Sequence, residues 1–298
     1  MTGPTRLRVY GMLLLVVLFW AGNSIVGRAL HQDIPPFTLA FARWVGALLL
    51  LTPFAWTHLN RDWAQALRHW RMIAVLGLLG VAAFNALLYS GLAHTTATNS
   101  LLIQAGTPAL VLLLGLMLFR DRPRWAQVLG VSLAAVGAAV IVLRGDFAVL
   151  GALRFGYGDV LIVCAVAIWA LYTVLLRLRP PIHALSFLGF TFAIGALAMA
   201  GPAFAEWQGR AVTLTAESIA GMAYVAVFPS VAAYFLYNKA VQEIGAADAG
   251  QMISVQPLLG AVLAWIFLRE PLESYHAIGM ALIALGVAGP LLLRMRRG

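Results

Sequence analysis

Charge is scarce in this chain. Only 10% of its 298 residues are charged, against 62% apolar, and the mean hydropathy is +0.89. A soluble domain is about a quarter charged and somewhat under half apolar, so too little polar surface exists here to cover a particle in water. The solvent must be lipid. Lysine is almost missing: Lys239 stands against 19 arginines, which lie in small groups between apolar runs and form no stripe. The net charge of +9 therefore reads as the basic bias of membrane loops and excludes a nucleic-acid partner. The single cysteine, Cys164, lies inside an apolar run and has no partner for an intramolecular disulfide. It reads as a small buried hydrophobe.

Catalytic groupings are missing too. The eleven acidic residues all fall near the ends of apolar runs, and the six histidines are isolated, with no H-E-x-x-H spacing. No G-x-x-x-x-G-K-[ST] loop is present, which removes ATP-driven pumping by this chain alone. An enzyme needs clustered carboxylates, a histidine motif or a nucleophile beside a base; none is legible, and no cofactor or metal is implied. A proton-driven carrier usually holds a carboxylate or histidine deep in a span. Asp248, only about three residues into its run, is the nearest candidate. Sodium held by backbone carbonyls would leave no such mark, so ion coupling stays open.

What is present is a series of apolar runs. They fall near Tyr10–Leu30, Pro36–Trp56, Met72–Leu92, Thr95–Phe119 and Arg124–Leu143, then Asp159–Leu178, Ala184–Ala205, Ser218–Ala240, Ala246–Leu268 and Tyr275–Leu293. Most hold about 20 residues, enough to cross roughly 30 Å of hydrocarbon as α-helix. Transmembrane strands would alternate in polarity over about ten residues, and these runs do not. Arg6 and Arg8 precede the first run as in a signal peptide, but no A-x-A cleavage site follows; a retained first span is expected. With the N-terminus inside, fourteen basic residues fall on inner segments and five on outer ones. Both termini are thus expected in the cytoplasm.

A repeat divides the chain. Leu118-Phe119-Arg120-Asp121 pairs with Phe267-Leu268-Arg269-Glu270 at a shift of 149. The same shift pairs Pro108 with Pro257, Gly130 with Gly279, Gly137 with Gly286, and Trp20-Ala21 with Trp169-Ala170. Leu88-Tyr89 matches Leu236-Tyr237 after a one-residue slip. Five spans per half is an odd number, so the second half is expected upside down relative to the first, the architecture of many secondary transporters. The expected fold is an all-α membrane protein of ten helices: residues 1–143, a Gly-rich linker over 144–158, and residues 159–298, built around a central cavity.

Several polar and aromatic residues are candidates for that cavity. Trp20 and Trp169 each lie about ten residues into a span, near the midplane, where interfacial tryptophans do not belong. Asn23 and Tyr172 follow them at i+3, on the same helix face. Asn85 with Tyr89, and Tyr234 with Asn238, are i, i+4 pairs. Ser100, Gln104 and Thr107 share a stripe on the fourth span, and Gln251 and Ser254 share one on the ninth. Plain interhelical hydrogen bonding is the alternative for all of these. The two stripes do not superpose under the shift of 149, so either the cavity is lopsided in chemistry or one side is misassigned. Pro108 and Pro257, mid-span, read as hinges or as static bends. Arg43 lies about seven residues into the second span, where an intramembrane charge reads as a substrate contact or, being within reach of the outer interface by snorkelling, as a structural residue. The glycine pairs Gly130/Gly137 and Gly279/Gly286 read as close helix packing within the bundle.

The run Phe267-Leu268-Arg269-Glu270-Pro271, with Gly279 nine residues beyond Glu270 and then Gly286-Val287, resembles the end of an EamA-type repeat of the drug/metabolite transporter superfamily. The first half has Asp121 where the family usually has Glu but keeps the glycine spacing, and Trp20, Pro36 and Arg43 also fit. Within that superfamily the aromatic and amide positions resemble the YddG-type amino acid exporters. The resemblance implies a bacterial inner-membrane carrier and a structural contact for Arg43. Rings with amides and hydroxyls suit a neutral, apolar or aromatic amino acid, and a single intramembrane arginine is too few for a nucleotide sugar. An exporter of organic cations held by π contacts is the second reading, and a non-transporting scaffold or receptor the third. The expected partners are a small-molecule substrate and the bilayer, with the chain a monomer or, as the alternative, a homodimer.

Overall fold

The apolar runs become helices, and no strand occurs among the described residues. The computed structural model describes residues 3–95, 100, 103–146, 148, 156–268 and 273–295. Its helices are α1 (Gly3–Ala29), α2 (Pro36–Arg68), α3 (Trp70–His94), α4 (Thr107–Phe119), α5 (Trp125–Val142), α6 (Tyr157–Leu178), α7 (Ala184–Gly209), α8 (Ala216–Ile244), α9 (Ala246–Gln251), α10 (Gln256–Leu268) and α11 (Ser274–Met295). Seven of them (α1, α2, α3, α5, α6, α7 and α8) are long and apolar enough to cross a bilayer. Leu49, Phe54, Leu129 and Leu197 stand exposed on helix faces, where only lipid tails suit them. This is a multi-pass membrane protein. Cys164, expected to be buried, is exposed on the α6 surface; lipid rewards an apolar thiol outside the bundle as much as inside it.

Three spans differ from their expected form. The second does not stop at Trp56 but runs on to Arg68, 33 residues in all. That is about 50 Å, so its polar last turns project beyond the hydrocarbon. The fourth is interrupted: Ala105 and Gly106 form a turn, and α4 begins only at Thr107. The ninth tightens to a 3-10 helix over Met252–Val255 between α9 and α10. Pro108 and Pro257 therefore do not sit inside continuous helices. Each lies in the first turn of the segment after the break, where a missing N–H leaves nothing unpaired. The departure from α-geometry occupies the four residues before Gln256 and, in the first half, Ala105 and Gly106 before Thr107, and the prolines open the next segment. The signature residues Arg269, Glu270 and Pro271, and most of the linker, fall outside the described residues.

The shift of 149 holds element by element. α4 and α10 start 149 residues apart. So do two π-helical stretches, Leu78–Ala83 in α3 and Val227–Ala232 in α8. The expected one-residue slip near Tyr89 does not occur: with both π turns in register, Tyr89 is the mate of Asn238. Helix pairing maps onto itself when the halves are exchanged. α1 packs on α8 and α10, α6 packs on α3 and α4, and the mates α2/α7 and α5/α11 pack along each other.

Both mated pairs run antiparallel. At one end Glu206 of α7 accepts from the backbone N–H groups of Phe37 (3.0 Å) and Thr38 (2.7 Å), capping α2. At the other, Asp62 of α2 accepts from the His183 N–H at 2.8 Å, just before α7. The glycines allow α5 and α11 to touch: a Cβ on Gly137 would fall 2.7 Å from the Gly279 oxygen, and one on Gly286 2.5 Å from that of Gly130. The packing role expected for these four glycines holds.

Candidate functional site

The site is built on the two π-helical stretches. A π turn turns backbone carbonyls out of the helical ladder, and both halves use the same position for this. In α8, Pro229 has no N–H to give Val225; the Ser230 hydroxyl donates to the Val225 oxygen instead, at 2.6 Å. The Pro229 carbonyl then faces inward and accepts from Arg43 Nη2 (3.0 Å) and Trp20 Nε1 (3.2 Å). Its mate in α3 is Gly80, whose carbonyl accepts from the Tyr234 hydroxyl. Glycine is required there because the Tyr172 ring lies on the backbone; a Cβ would sit 2.4 Å from Cδ2.

Arg43 does not snorkel. Its side chain turns into the bundle and is 2% exposed. Nε donates to Ser230 Oγ at 2.6 Å, and Nη1 donates to Asn85 Oδ1 (2.9 Å) and Tyr89 Oη (3.0 Å), with Asn23 Oδ1 at 3.4 Å. The guanidinium lies over the Trp44 ring, 4.6 Å from its centroid. Three other helices thus converge on one cation. Tyr89 also donates to Asn23 Oδ1 at 2.9 Å, and the mated bond in the other half runs from Tyr172 to Asn238 Oδ1 at 2.8 Å. The same hydrogen bond recurs with tyrosine and asparagine exchanged.

Trp20 and Trp169 meet edge to face, centroids 5.0 Å apart. Tyr237 stacks near both (5.1 and 5.5 Å), and Phe84 and Tyr172 flank Trp169 (4.7 and 5.1 Å). Beside this cluster lies a cavity walled by both halves, with Asn23, Arg43, Gln104 and Thr107 as polar lining and Trp20, Phe84, Trp169 and Tyr234 as rings. It offers about 30 Å³ to the centre of a water molecule, room for about two waters. A second cavity of about 300 Å³ lies between Val111, Gly115, Asp121, Gln127, Arg177 and Gly245. On its rim Arg177 donates from Nη1 and Nη2 to the two carboxylate oxygens of Asp121 and lies over Phe119. The Arg177 hydrogen bonds and charge hold the Asp121 carboxyl below the usual carboxylate range.

The expected site residues fall into three groups. Trp20, Asn23, Gln104, Thr107, Trp169 and Tyr234 line the cavity. Asn85 and Tyr89 hold Arg43 from behind it, while Tyr172 and Asn238 brace Trp169. Ser100 accepts from Gln104 Nε2 at 3.1 Å and fixes that amide. Gln251 turns away, donating to the Gly286 oxygen of α11 at 2.7 Å, and Ser254 is buried outside the lining. Asp248 is buried against Gln127, whose Nε2 donates to it at 2.9 Å, and does not line the cavity. Residues that the sequence did not single out are Phe84, Ser230, Tyr237 and Gln256. Gln256 was findable, since it is the mate of Thr107; Ser230 was not, since only the π turn points it at Arg43.

The EamA-like transporter family model matches residues 7–143 and again residues 156–291. The chain belongs to this family. An Archaeoglobus fulgidus protein named an uncharacterized transporter is 30% identical over 280 residues, 93% of this chain and 94% of its own. A Streptantibioticus cattleyicolor protein named a probable terminal-alkyne amino-acid exporter is 28% identical over 231 residues, 76% of this chain and 73% of its own. A crystal structure at 19% identity superposes with a TM-score of 0.76 over 97% of this chain and 98% of its own, which is a likeness of fold. In this EamA-family transporter the matched segments each supply one tryptophan to the central pair and one π-turn carbonyl that a site residue bonds.

Proposed function

We infer that this transporter exports neutral amino acids, aromatic or otherwise apolar, across the bacterial inner membrane by alternating access. The observation that carries the reading is the cavity beside the Trp20–Trp169 contact, where both halves meet and amides, a hydroxyl and a guanidinium line the same space as four aromatic rings. An amphiphilic small molecule matches that mixed lining. The amino-acid exporter among the relatives supports the class. Organic cations fit less well, because the lining carries a buried arginine that repels them.

Ten spans form two inverted five-helix halves, with both termini cytoplasmic. The antiparallel mates α2/α7 and α5/α11 support the inversion, and the loop arginines support the orientation. The cavity as it stands holds about 30 Å³, too little for an amino acid, so the rings part when either side opens. The helix breaks before Pro108 and Pro257 are the hinges: mated, and of opposite sense relative to the membrane. A short 3-10 stretch inside a span commonly marks such a hinge. The carrier works as a monomer, with its substrate and the bilayer as partners.

Purified protein in liposomes, given a panel of labelled amino acids, should show saturable flux of aromatic and large aliphatic ones. Flux of a quaternary amine with none of any amino acid overturns the substrate reading. In a version lacking Cys164, single cysteines placed near Ala148 and Gly209 should label from outside, and those near Asn60 and Arg179 only from inside; outside labelling at Asn60 overturns the inversion.

A further inference from the structure

The two halves are mated closely, but one pair of mates in the site differs in charge. Position 43 is arginine, and its mate 149 residues on is Phe192. Phe192 packs on Trp44 and Tyr234 at 4.9 and 5.9 Å, wholly buried and apolar. One side of the site therefore carries a full positive charge and the other carries none. The partners of that charge are a hydroxyl, two amides, a phenol and a carbonyl, all neutral. Among the described residues no carboxylate makes an ion pair with Arg43, and none lines the cavity. Buried charges are normally paired with an opposite charge. Neutral dipoles can hold the guanidinium, but they leave its net charge uncancelled at the cavity wall. The remaining polar side chains of the lining offer an ammonium group amides, hydroxyls and ring faces but no negative charge.

We propose that the site selects its substrate by a carboxylate and not by an ammonium group. An apolar monocarboxylate lies with its carboxylate on Arg43 and its hydrocarbon among Phe84, Trp169 and Ile253, and the α-amino group of an amino acid adds little. The proposal rests on the cavity being the substrate site, as in the reading above, and widens the class to carboxylates that lack an amino group. Electrostatics gives the sign. A carboxylate cancels the Arg43 charge in a site shielded from water, and an added ammonium brings a second cation into the same confined volume.

Three compounds with one ring and similar length separate the charges: phenylalanine, 3-phenylpropionate and phenethylamine. Each is titrated against the purified wild-type protein, with quenching of tryptophan fluorescence as the binding readout and labelled flux in liposomes as the second. Phenylalanine and 3-phenylpropionate should bind within a few-fold of each other, and phenethylamine about tenfold or more weaker, the loss expected for one charge-assisted bond. Arg43→Gln should remove that ranking, and Arg43→Lys should keep its order while weakening both carboxylates. If Arg43→Gln does not fold, the wild-type ranking still decides. Phenethylamine binding as tightly as phenylalanine, or phenylalanine binding with no 3-phenylpropionate binding, overturns the proposal and leaves amino-acid export standing. Binding and flux of 3-phenylpropionate without phenylalanine overturn amino-acid export and leave the proposal standing. Binding of none of the three overturns both.

Discussion

Tyr89→Phe and Tyr172→Phe delete one hydroxyl each from mated hydrogen bonds, and the second half serves as the internal control for the first. Both tyrosines are buried, and both donate to a buried asparagine, at 2.9 and 2.8 Å. Only Tyr89 also accepts from a guanidinium, Arg43 Nη1 at 3.0 Å. A neutral bond of this kind contributes about 0.5–1.5 kcal/mol, and bonds between membrane helices tend toward the lower end. A bond to a charged group contributes about 1.5–3 kcal/mol. Tyr172→Phe should therefore lose about 1 kcal/mol, and Tyr89→Phe about 2–4 kcal/mol, by the same accounting. Reversible unfolding in mixed micelles of mild detergent and dodecyl sulfate reads both differences on one scale. Equal losses, or a larger loss for Tyr172→Phe, would refute the argument that Arg43 is held as a buried cation by this network.

Two further outcomes follow from the packing and from the loop ion pair. Gly137→Leu and Gly286→Leu occupy mated positions and should each destabilise by at least about 1–3 kcal/mol through overpacking, while the same change at Gly11, whose Cβ position is open, should be near neutral; unfolding midpoints of the three variants check this. Asp121 has its folded pKa lowered by Arg177, so its contribution is complete above the unfolded value near 3.9 and fades as pH falls through the folded one. Because the pair is about 35% and 48% exposed, the effect is small: Asp121→Asn should melt slightly below wild type at pH 7, with the gap narrowing as pH falls below the unfolded value, and a gap that stays constant or widens on acidification would contradict the assignment.

Composition alone determined that the chain lives in lipid. At 62% apolar and 10% charged no water-facing surface can be made, and lipid leaves the helix as the one open-chain answer for backbone amides. The repeat was equally legible, because matched prolines, glycines and tryptophans keep a spacing through five helices whatever their contacts. Depth counting from the span ends brought Trp20 and Trp169 to one level, and they do touch. Three things were decided only by tertiary structure. The π turns at Gly80 and Pro229 leave no local signature, since a single extra residue in a helical turn changes no periodicity over a short apolar run. Those turns set the register that mates Tyr89 with Asn238, where sequence matching had slipped by one. The position of Arg43 was undecidable from its depth: the same residue reaches the interface or turns inward, and the choice depends on acceptors brought by other helices. Asn23 comes from α1, Asn85 and Tyr89 from α3, and Ser230 and the Pro229 carbonyl from α8. An arginine stays inside a membrane protein only where such groups converge, and convergence is a property of the folded bundle, not of any one helix.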